Sequence, residues 1–116
     1  MKPLASITIN VKGRDWTFKL FTDRAFDKLH NPNDEGNAAM TLPTKYEVHF
    51  AKSEWDLIDI RHELGHLFAY MSRTSSAELS AEQTEELMCE IVAHHATEII
   101  LISDRVAERF LNYDKE

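Results

Sequence analysis

The segment Arg61-His62-Glu63-Leu64-Gly65-His66 contains the pattern H-E-x-x-H within a stretch of helical periodicity. Residues four positions apart project from the same face of a helix, so the two imidazoles lie one turn apart. That spacing lets two ring nitrogens bind one zinc ion, while Glu63 lies where it can act on a zinc-bound water. The segment therefore predicts a metal site on a helix, of the kind that hydrolases use.

The helix that carries this motif is predicted to begin after Ser53 and to end near Ser72. Ser53 is a favourable N-cap, and Asp56 lies near the positive end of the helix dipole. Gly65 lowers helix stability by roughly 1 kcal/mol relative to alanine. This indicates that a strand or a substrate passes close to it, with simple packing as the alternative. The apolar stripe of this helix consists of Leu57, Ile60, Leu64, Leu67, Phe68 and Met71.

Short strands and one helix are predicted ahead of the motif. Alternating apolar residues predict a β-hairpin with strands at 4–11 and 16–20. A short helix should follow, capped by Thr22 or Asp23 and ending near His30. Two further strands are predicted at 38–42 and 46–50.

A second long helix is predicted after the motif, and it completes the fold. Ser80 and Gln83 form a capping-box pattern at its start. The helix should run to about Asn112, with one break near 103–104, and Cys89 should be a small buried residue within it. The predicted fold is α+β, with a small mixed or antiparallel sheet of about four strands packed on the two long helices.

Composition narrows the possible functions. The 116 residues contain no repeat, low-complexity tract or linker, which predicts one domain over 1–116. The formal charge is −7 and the basic residues are scattered, which argues against nucleic-acid binding. One cysteine, no secretory signal, and a longest apolar run of Ile99–Ile102 predict a cytoplasmic protein without a membrane partner. The oligomeric state is left open.

A catalytic zinc site needs three protein ligands, and the motif supplies two. Within the second helix Glu86, Glu90 and His94 are four residues apart in succession and share one face. We assign Glu86 as the third ligand, Glu90 as the acceptor that holds a ring N–H of a ligand histidine, and His94 as the alternative third ligand. The candidates for the third ligand are Glu82, Glu85, Glu86, Glu90, His94 and His95.

Together with the first motif, the segment Glu86-Leu87-Met88-Cys89-Glu90-Ile91-Val92-Ala93 carries a resemblance to a known family. The chain resembles the gluzincin branch of zinc metallopeptidases, and within it the small ImmA/IrrE-like and phage-encoded metallopeptidase domains. The segment looks like that family's E-x-x-A-N/D-x-F-A pattern, with Cys89 in the small-residue place and Glu90 in the Asn/Asp place. The resemblance covers roughly residues 37–98, and it implies that Glu86 is the third zinc ligand.

The function implied by the resemblance is a zinc-dependent metallopeptidase that acts on a peptide or protein substrate, in the host cytoplasm if it is phage-encoded. Zinc lowers the pKa of its bound water towards about 7, and Glu63 as general base passes the proton to the leaving amine. His49 or Tyr70 is a candidate oxyanion donor, with a structural role as the alternative for each. The strand at 46–50 is the candidate edge for binding an extended peptide.

A second function, from a different class, is a non-catalytic zinc-binding regulatory or protein-interaction domain that retains the same fold. A chain this short offers few walls for a substrate cleft, which is the reason to keep this second function as the alternative to the peptidase. The two functions predict different results for Glu63→Gln, which should abolish cleavage in the enzyme and leave the effect of the binding domain intact.

Overall fold

The computed structural model describes residues 2–72 and 79–115 and confirms an α+β fold with a four-stranded mixed sheet. The second long helix near the C-terminus is also confirmed. Short 3₁₀ turns occupy Pro43–Lys45 and Tyr113–Lys115. The regular elements are β1 (Ala5–Val11), β2 (Arg14–Phe21), α1 (Asp23–His30), β3 (Ala39–Leu42), β4 (Glu47–Ala51), α2 (Leu57–Met71) and α3 (Ala81–Asn112).

The sheet has the strand order β1-β2-β4-β3. The predicted hairpin is confirmed, since β1 and β2 pair antiparallel. Lys12 and Gly13 connect them with φ angles of 52° and 88°, the left-handed conformation that two-residue hairpin turns require. Strand β4 pairs in parallel with β2 and antiparallel with β3, so β4 is an interior strand and β3 is an edge strand.

The alternation of side chains along the strands gives the sheet two different faces. One face packs against α2 and α3 and forms the main hydrophobic core. The other face packs against α1 through a smaller cluster of Phe21, Phe26 and Ala51. The fully buried side chains of the main core include Trp16, Phe18, Leu20, Val48, Phe50, Ile60, Leu64, Leu67 and Phe68.

Helix α2 begins three residues later than the sequence predicts. Its N-cap is Asp56, whose side chain accepts a hydrogen bond from the backbone N–H of Asp59, while the Asp59 carboxylate accepts one from the N–H of Asp56. The expected N-cap, Ser53, instead hydrogen-bonds to Asp23 through both its N–H and its hydroxyl. The prediction of Ser53 was wrong because a reciprocal cap was available downstream and because Ser53 has a distant partner.

Helix α3 is continuous through residues 103–104, where a break was expected. Ser103 is buried, and its hydroxyl donates to the carbonyl of Ile100, within the helix. The Ser103 hydroxyl also accepts a hydrogen bond from Nε of Arg61 at 3.1 Å. These bonds satisfy the polar group inside the core, so the helix does not need to open there. The capping box of Ser80 and Gln83 is confirmed.

Helices α2 and α3 pack antiparallel. The Arg61–Ser103 hydrogen bond marks one end of the contact, and the ring of Phe68 stacks on that of His95 with centroids 4.7 Å apart at the other end. Within the described part of the chain, every helix is too short or too polar to cross a bilayer.

Candidate metal centre

His62 and His66 lie together on an exposed flank of α2. Their Nε2 atoms are 3.1 Å apart, as the four-residue spacing predicts. Two nitrogens that bind one zinc at about 2.05 Å with tetrahedral angles are about 3.3 Å apart. The separation of the pair is therefore close to that of two coordination positions of a zinc ion.

Glu63 is the buried member of the group. Its carboxylate, with the two ring nitrogens, forms a cluster in which all three ligand atoms lie within 4.8 Å of one another. Glu63 Oε2 lies 3.9 Å from Nε2 of His62, which is longer than the separation expected for two ligands of one tetrahedral zinc. The geometry suits a general base beside the metal position better than a third ligand.

Thr41 holds Glu63 in place. Its hydroxyl donates to Glu63 Oε1 at 2.7 Å and also lies 3.3 Å from the Glu63 carbonyl oxygen. One carboxylate oxygen is therefore fixed by β3, and the other faces the histidines. Thr41 is not marked in the sequence, because a contact between a strand and a helix 22 residues later has no local signature.

The histidine pair faces away from α3. Arg61 and Phe68 mark the flank of α2 that contacts α3. Successive residues are rotated by about 100° around the helix axis. Measured around that axis from the direction midway between Arg61 and Phe68, His62 lies at about 110° and His66 at about 150°. Both histidines thus lie towards the side on which Glu63 meets β3, with α3 on the far side of the helix.

Glu86, the predicted third ligand, is displaced along the axis of α3 from the part of α3 that lies opposite His66. The antiparallel register places His66 level with about residue 97 of α3, so Glu86 lies about 16 Å further along that helix. Among the described residues, the group of side chains that could hold a metal ion contains His62, Glu63 and His66 and does not include Glu86. The assignment of Glu86 stays a prediction, and it requires α3 to pack on α2 in another position.

The other two residues predicted for the site pair with each other. Glu90 and His94 form an exposed ion pair one turn apart on α3, with Oε2 and Nε2 separated by 3.0 Å. Neither belongs to the cluster on α2. The structure thus brings together the three motif residues and leaves the three candidates on α3 apart from them.

Gly65 has no close neighbour to explain it. A Cβ atom built at this position meets no heavy atom within 4 Å. The expectation that another segment passes close to Gly65 was therefore wrong. An alanine would fit here without displacing any neighbour.

The strand beside the motif is β3, and the prediction of the strand at 46–50 as the exposed edge was wrong. β4 covers most of the segment 46–50 and is hydrogen-bonded on both sides, so it cannot accept a peptide. Along β3, successive residues direct their main-chain N–H and C=O groups alternately towards β4 and away from it. The hydrogen bond from the N–H of Ala51 to the carbonyl of Ala38 shows that Ala38 is one of the residues that face β4. Ala39 and Thr41 therefore direct their main-chain N–H and C=O groups towards the free edge.

His49, one of the two candidate oxyanion donors, lies on the opposite face of the sheet. Its Nδ1 is 2.8 Å from Nε2 of His30, and its Nε2 is 2.8 Å from Oε1 of Glu47. Lys19 pairs with the other oxygen of Glu47 at 2.9 Å. Because both nitrogens of His49 are engaged in this network, His49 has no donor for the α2 site. The other candidate, Tyr70, packs edge-to-face on Trp16.

Burial lowers the pKa of both histidines on that face. Burial lowers the pKa of His49, although the hydrogen bond to Glu47 partly offsets this. Burial and the neighbouring His49 lower the pKa of His30. Burial raises the pKa of Glu47, but hydrogen bonds from His49 and Lys19 outweigh it and the net change is downward. An ionised Glu47 can only accept, so His49 Nε2 carries a proton and its Nδ1 accepts from His30.

No protein-family model, curated protein or solved structure matches the chain. The resemblance to gluzincins therefore remains a prediction that rests on the two sequence motifs.

Proposed function

We propose that this chain is a zinc-dependent hydrolase of peptide bonds, with His62 and His66 as metal ligands and Glu63 as the general base. The observation that carries the proposal is the 3.1 Å separation of the two Nε2 atoms beside a buried carboxylate. When bound, a zinc ion would polarise the scissile carbonyl and lower the pKa of a water molecule.

The chain's own residues supply the remaining steps. Thr41 orients Glu63, so that the free carboxylate oxygen can take a proton and return it to the leaving amine. The free edge of β3 lies on the same side of α2 as this carboxylate, and an extended peptide can pair with the main chain of Ala39 and Thr41. Substrate binding and proton transfer would thereby share one strand.

A second function is favoured by one specific observation. Within the described residues only two histidines and the base are clustered, whereas catalytic zinc sites use three protein ligands. A domain that binds zinc through this pair and regulates a partner without turnover is therefore the alternative.

The test compares metal content and cleavage in three variants of the full chain. The assay uses purified protein loaded with about one equivalent of zinc and a library of fluorogenic peptides. For the hydrolase, Glu63→Gln should keep zinc and lower kcat by at least about 100-fold, whereas His66→Ala should lose the metal. Thr41→Val should keep zinc and lower kcat by roughly tenfold through a misplaced base.

The outcomes separate the two functions. Cleavage that needs His66 and Glu63 supports the hydrolase. Stoichiometric zinc with no cleavage of any peptide supports the binding domain. Protein that takes up no zinc at pH 7.5, with its fold intact by circular dichroism, overturns both.

A further inference from the structure

The N-terminal half of α3 extends beyond the helix on which α3 packs. The contacts of Arg61 and Phe68 place Met71, the last residue of α2, level with about residue 92 of α3. Residues 81–91 therefore project about 16 Å past the end of α2. Helix–helix contact with α2 cannot cover this part of α3.

An apolar stripe is exposed on the part of α3 that passes the end of α2. We define the α3 stripe as Met88, Cys89, Val92 and Ala96, all of which are exposed. Glu85 is exposed on the same face one turn before Met88, so the stripe begins at Met88 with a carboxylate at its N-terminal end. Met88 and Val92 are 62% and 68% exposed and lie one turn apart. At about 100° per residue the four positions span about 100°, the width of the buried face of an amphipathic helix. Cys89 was expected to be buried, and its exposure is part of this feature.

One border of the stripe is acidic. Glu82, Glu86 and Glu90 follow it around the helix and are all exposed. No Lys or Arg occurs between residues 79 and 104. Among these three carboxylates Glu90 pairs with His94, while α3 offers no lysine or arginine along this stretch to Glu82 and Glu86. On the other border, Lys12 reaches His95, with Nζ and Nε2 separated by 3.4 Å.

The apolar stripe and its acidic border together indicate which kind of partner could bind there. A second copy of the chain would bring acidic borders together and carries the same net charge of −7, so self-association is unfavourable. A helix with apolar residues on one face and Lys or Arg beside them matches both the stripe and its acidic border. The row Met88, Val92 and Ala96 has the four-residue spacing into which a second helix packs.

We propose that the α3 stripe is a docking surface for a basic amphipathic helix of another protein. The flexible side chain of Met88 can adapt to different apolar residues, and the small side chains of Cys89 and Ala96 leave room for a close approach. The stripe and its acidic border share no residue with the cluster of His62, Glu63 and His66, so the proposal does not depend on metal binding at that cluster.

The experiment uses the full chain and three synthetic peptides of about 18 residues, or five helical turns. The first has leucine at helical spacing with lysine elsewhere, the second has glutamate in place of lysine, and the third has the leucine–lysine composition in scrambled order. Affinity is measured by fluorescence anisotropy at about 0.15 M salt, where long-range attraction between exposed charges is screened. Only the first peptide should bind tightly.

Paired variants locate the binding surface. Met88→Glu with Val92→Glu should weaken binding of the first peptide by at least about tenfold. The matched control is Ile58→Glu with Leu111→Glu, which alters two apolar residues that are 74% and 65% exposed elsewhere and adds the same charge. The control should change affinity by less than about twofold. Glu86→Lys with Glu90→Lys should weaken the first peptide and favour the second. Thermal melts confirm that each variant is folded.

Three results would overturn the proposal. Equal binding of the scrambled peptide would show that plain charge attraction is responsible. Equal losses in the two pairs of glutamate variants would place the binding surface elsewhere. A dimer in sedimentation experiments without peptide, dissociated by Met88→Glu with Val92→Glu, would show that the stripe binds a second copy.

Discussion

Two pairs of histidines lie on opposite sides of the sheet and have almost the same internal geometry. The nitrogens of His62 and His66 are 3.1 Å apart, and those of His30 and His49 are 2.8 Å apart. The difference is in what surrounds them. We call His62 and His66 the open pair, since both rings are exposed on α2. We call His30 and His49 the closed pair, since His49 is buried and its Nε2 is hydrogen-bonded to Glu47.

This comparison shows that the distance between two nitrogens does not by itself define a metal site. In the closed pair, both nitrogens of His49 already have protein partners, and no metal position faces solvent. In the open pair, a third group, the carboxylate of Glu63, lies 3.9 Å from His62 and is held there by Thr41. Availability and a positioned base distinguish the candidate site from a structural network.

The largest expected effect concerns zinc. His66→Ala should reduce zinc affinity by more than about 100-fold, because removing a ligand costs more than removing a group that only orients one. His30→Ala should change the affinity by less than about twofold. Competition with a chromophoric chelator at pH 7.5 measures both. Loss of zinc in His30→Ala with retention in His66→Ala would reverse the roles of the two pairs.

The open pair was predictable and its neighbours were not. The H-E-x-x-H spacing and the helical period are local, so they determine how His62, Glu63 and His66 lie relative to one another on a single helix. Thr41 reaches Glu63 across two elements, and nothing in its own neighbourhood marks it. The parallel pairing of β2 with β4 is equally non-local. Because of it, the predicted edge strand at 46–50 lies inside the sheet and β3 lies at the edge.

The position of α3 illustrates the same limit. Its capping box and its length follow from the sequence around Ser80 and from the absence of Gly and Pro. Which of its turns meets α2 depends on tertiary contacts, such as the stacking of Phe68 on His95, that periodicity cannot specify. The expectation for Glu86 assumed one register, and the structure has another that is about 16 Å away along the helix.

The second prediction uses stability to separate the pairs. His49→Ala should lower the free energy of unfolding by about 2 kcal/mol, since it removes a buried ring and leaves Glu47 and His30 without their shared partner. His62→Ala should change it by less than about 0.5 kcal/mol, because that ring is exposed. Urea titrations at pH 7.5 without metal provide both values. Equal losses would show that the open pair also supports the fold.

The third prediction concerns pH and the closed pair. Burial lowers the pKa of His30 and His49 below 6.5, so the unfolded chain binds protons more readily than the folded chain as the pH falls. Stability should be constant above about pH 7 and should decrease below pH 6.5, with an uptake of up to about two protons on unfolding. The part of the decrease that comes from these two histidines should end once the pH is below both folded-state pKa values.

The charged groups around the closed pair raise or lower the pKa of His49. Glu47 favours a charged His49, while Lys19 and Lys45 disfavour it. Urea titrations between pH 7.5 and 5 should show a shallower pH dependence in His30→Asn with His49→Asn than in the natural chain. His62→Asn serves as the matched control and should keep the full dependence. A natural chain whose stability does not change over this range would contradict the assignment of a neutral closed pair.

The smallest effect is expected at Gly65, between the two histidines of the open pair. Gly65→Ala should raise the free energy of unfolding by about 0.8–1 kcal/mol, because alanine restricts the unfolded chain and its Cβ meets nothing within 4 Å. Zinc affinity should change by less than about twofold, since the substitution leaves the spacing of His62 and His66 intact. Thermal and urea unfolding measure the first value, and chelator competition the second. Helix propensity alone would then account for the cost of the glycine.

If Gly65→Ala instead slows peptide cleavage while zinc stays bound, the space beside Gly65 is needed for substrate, and the open flank of α2 extends further around the helix than the histidines indicate.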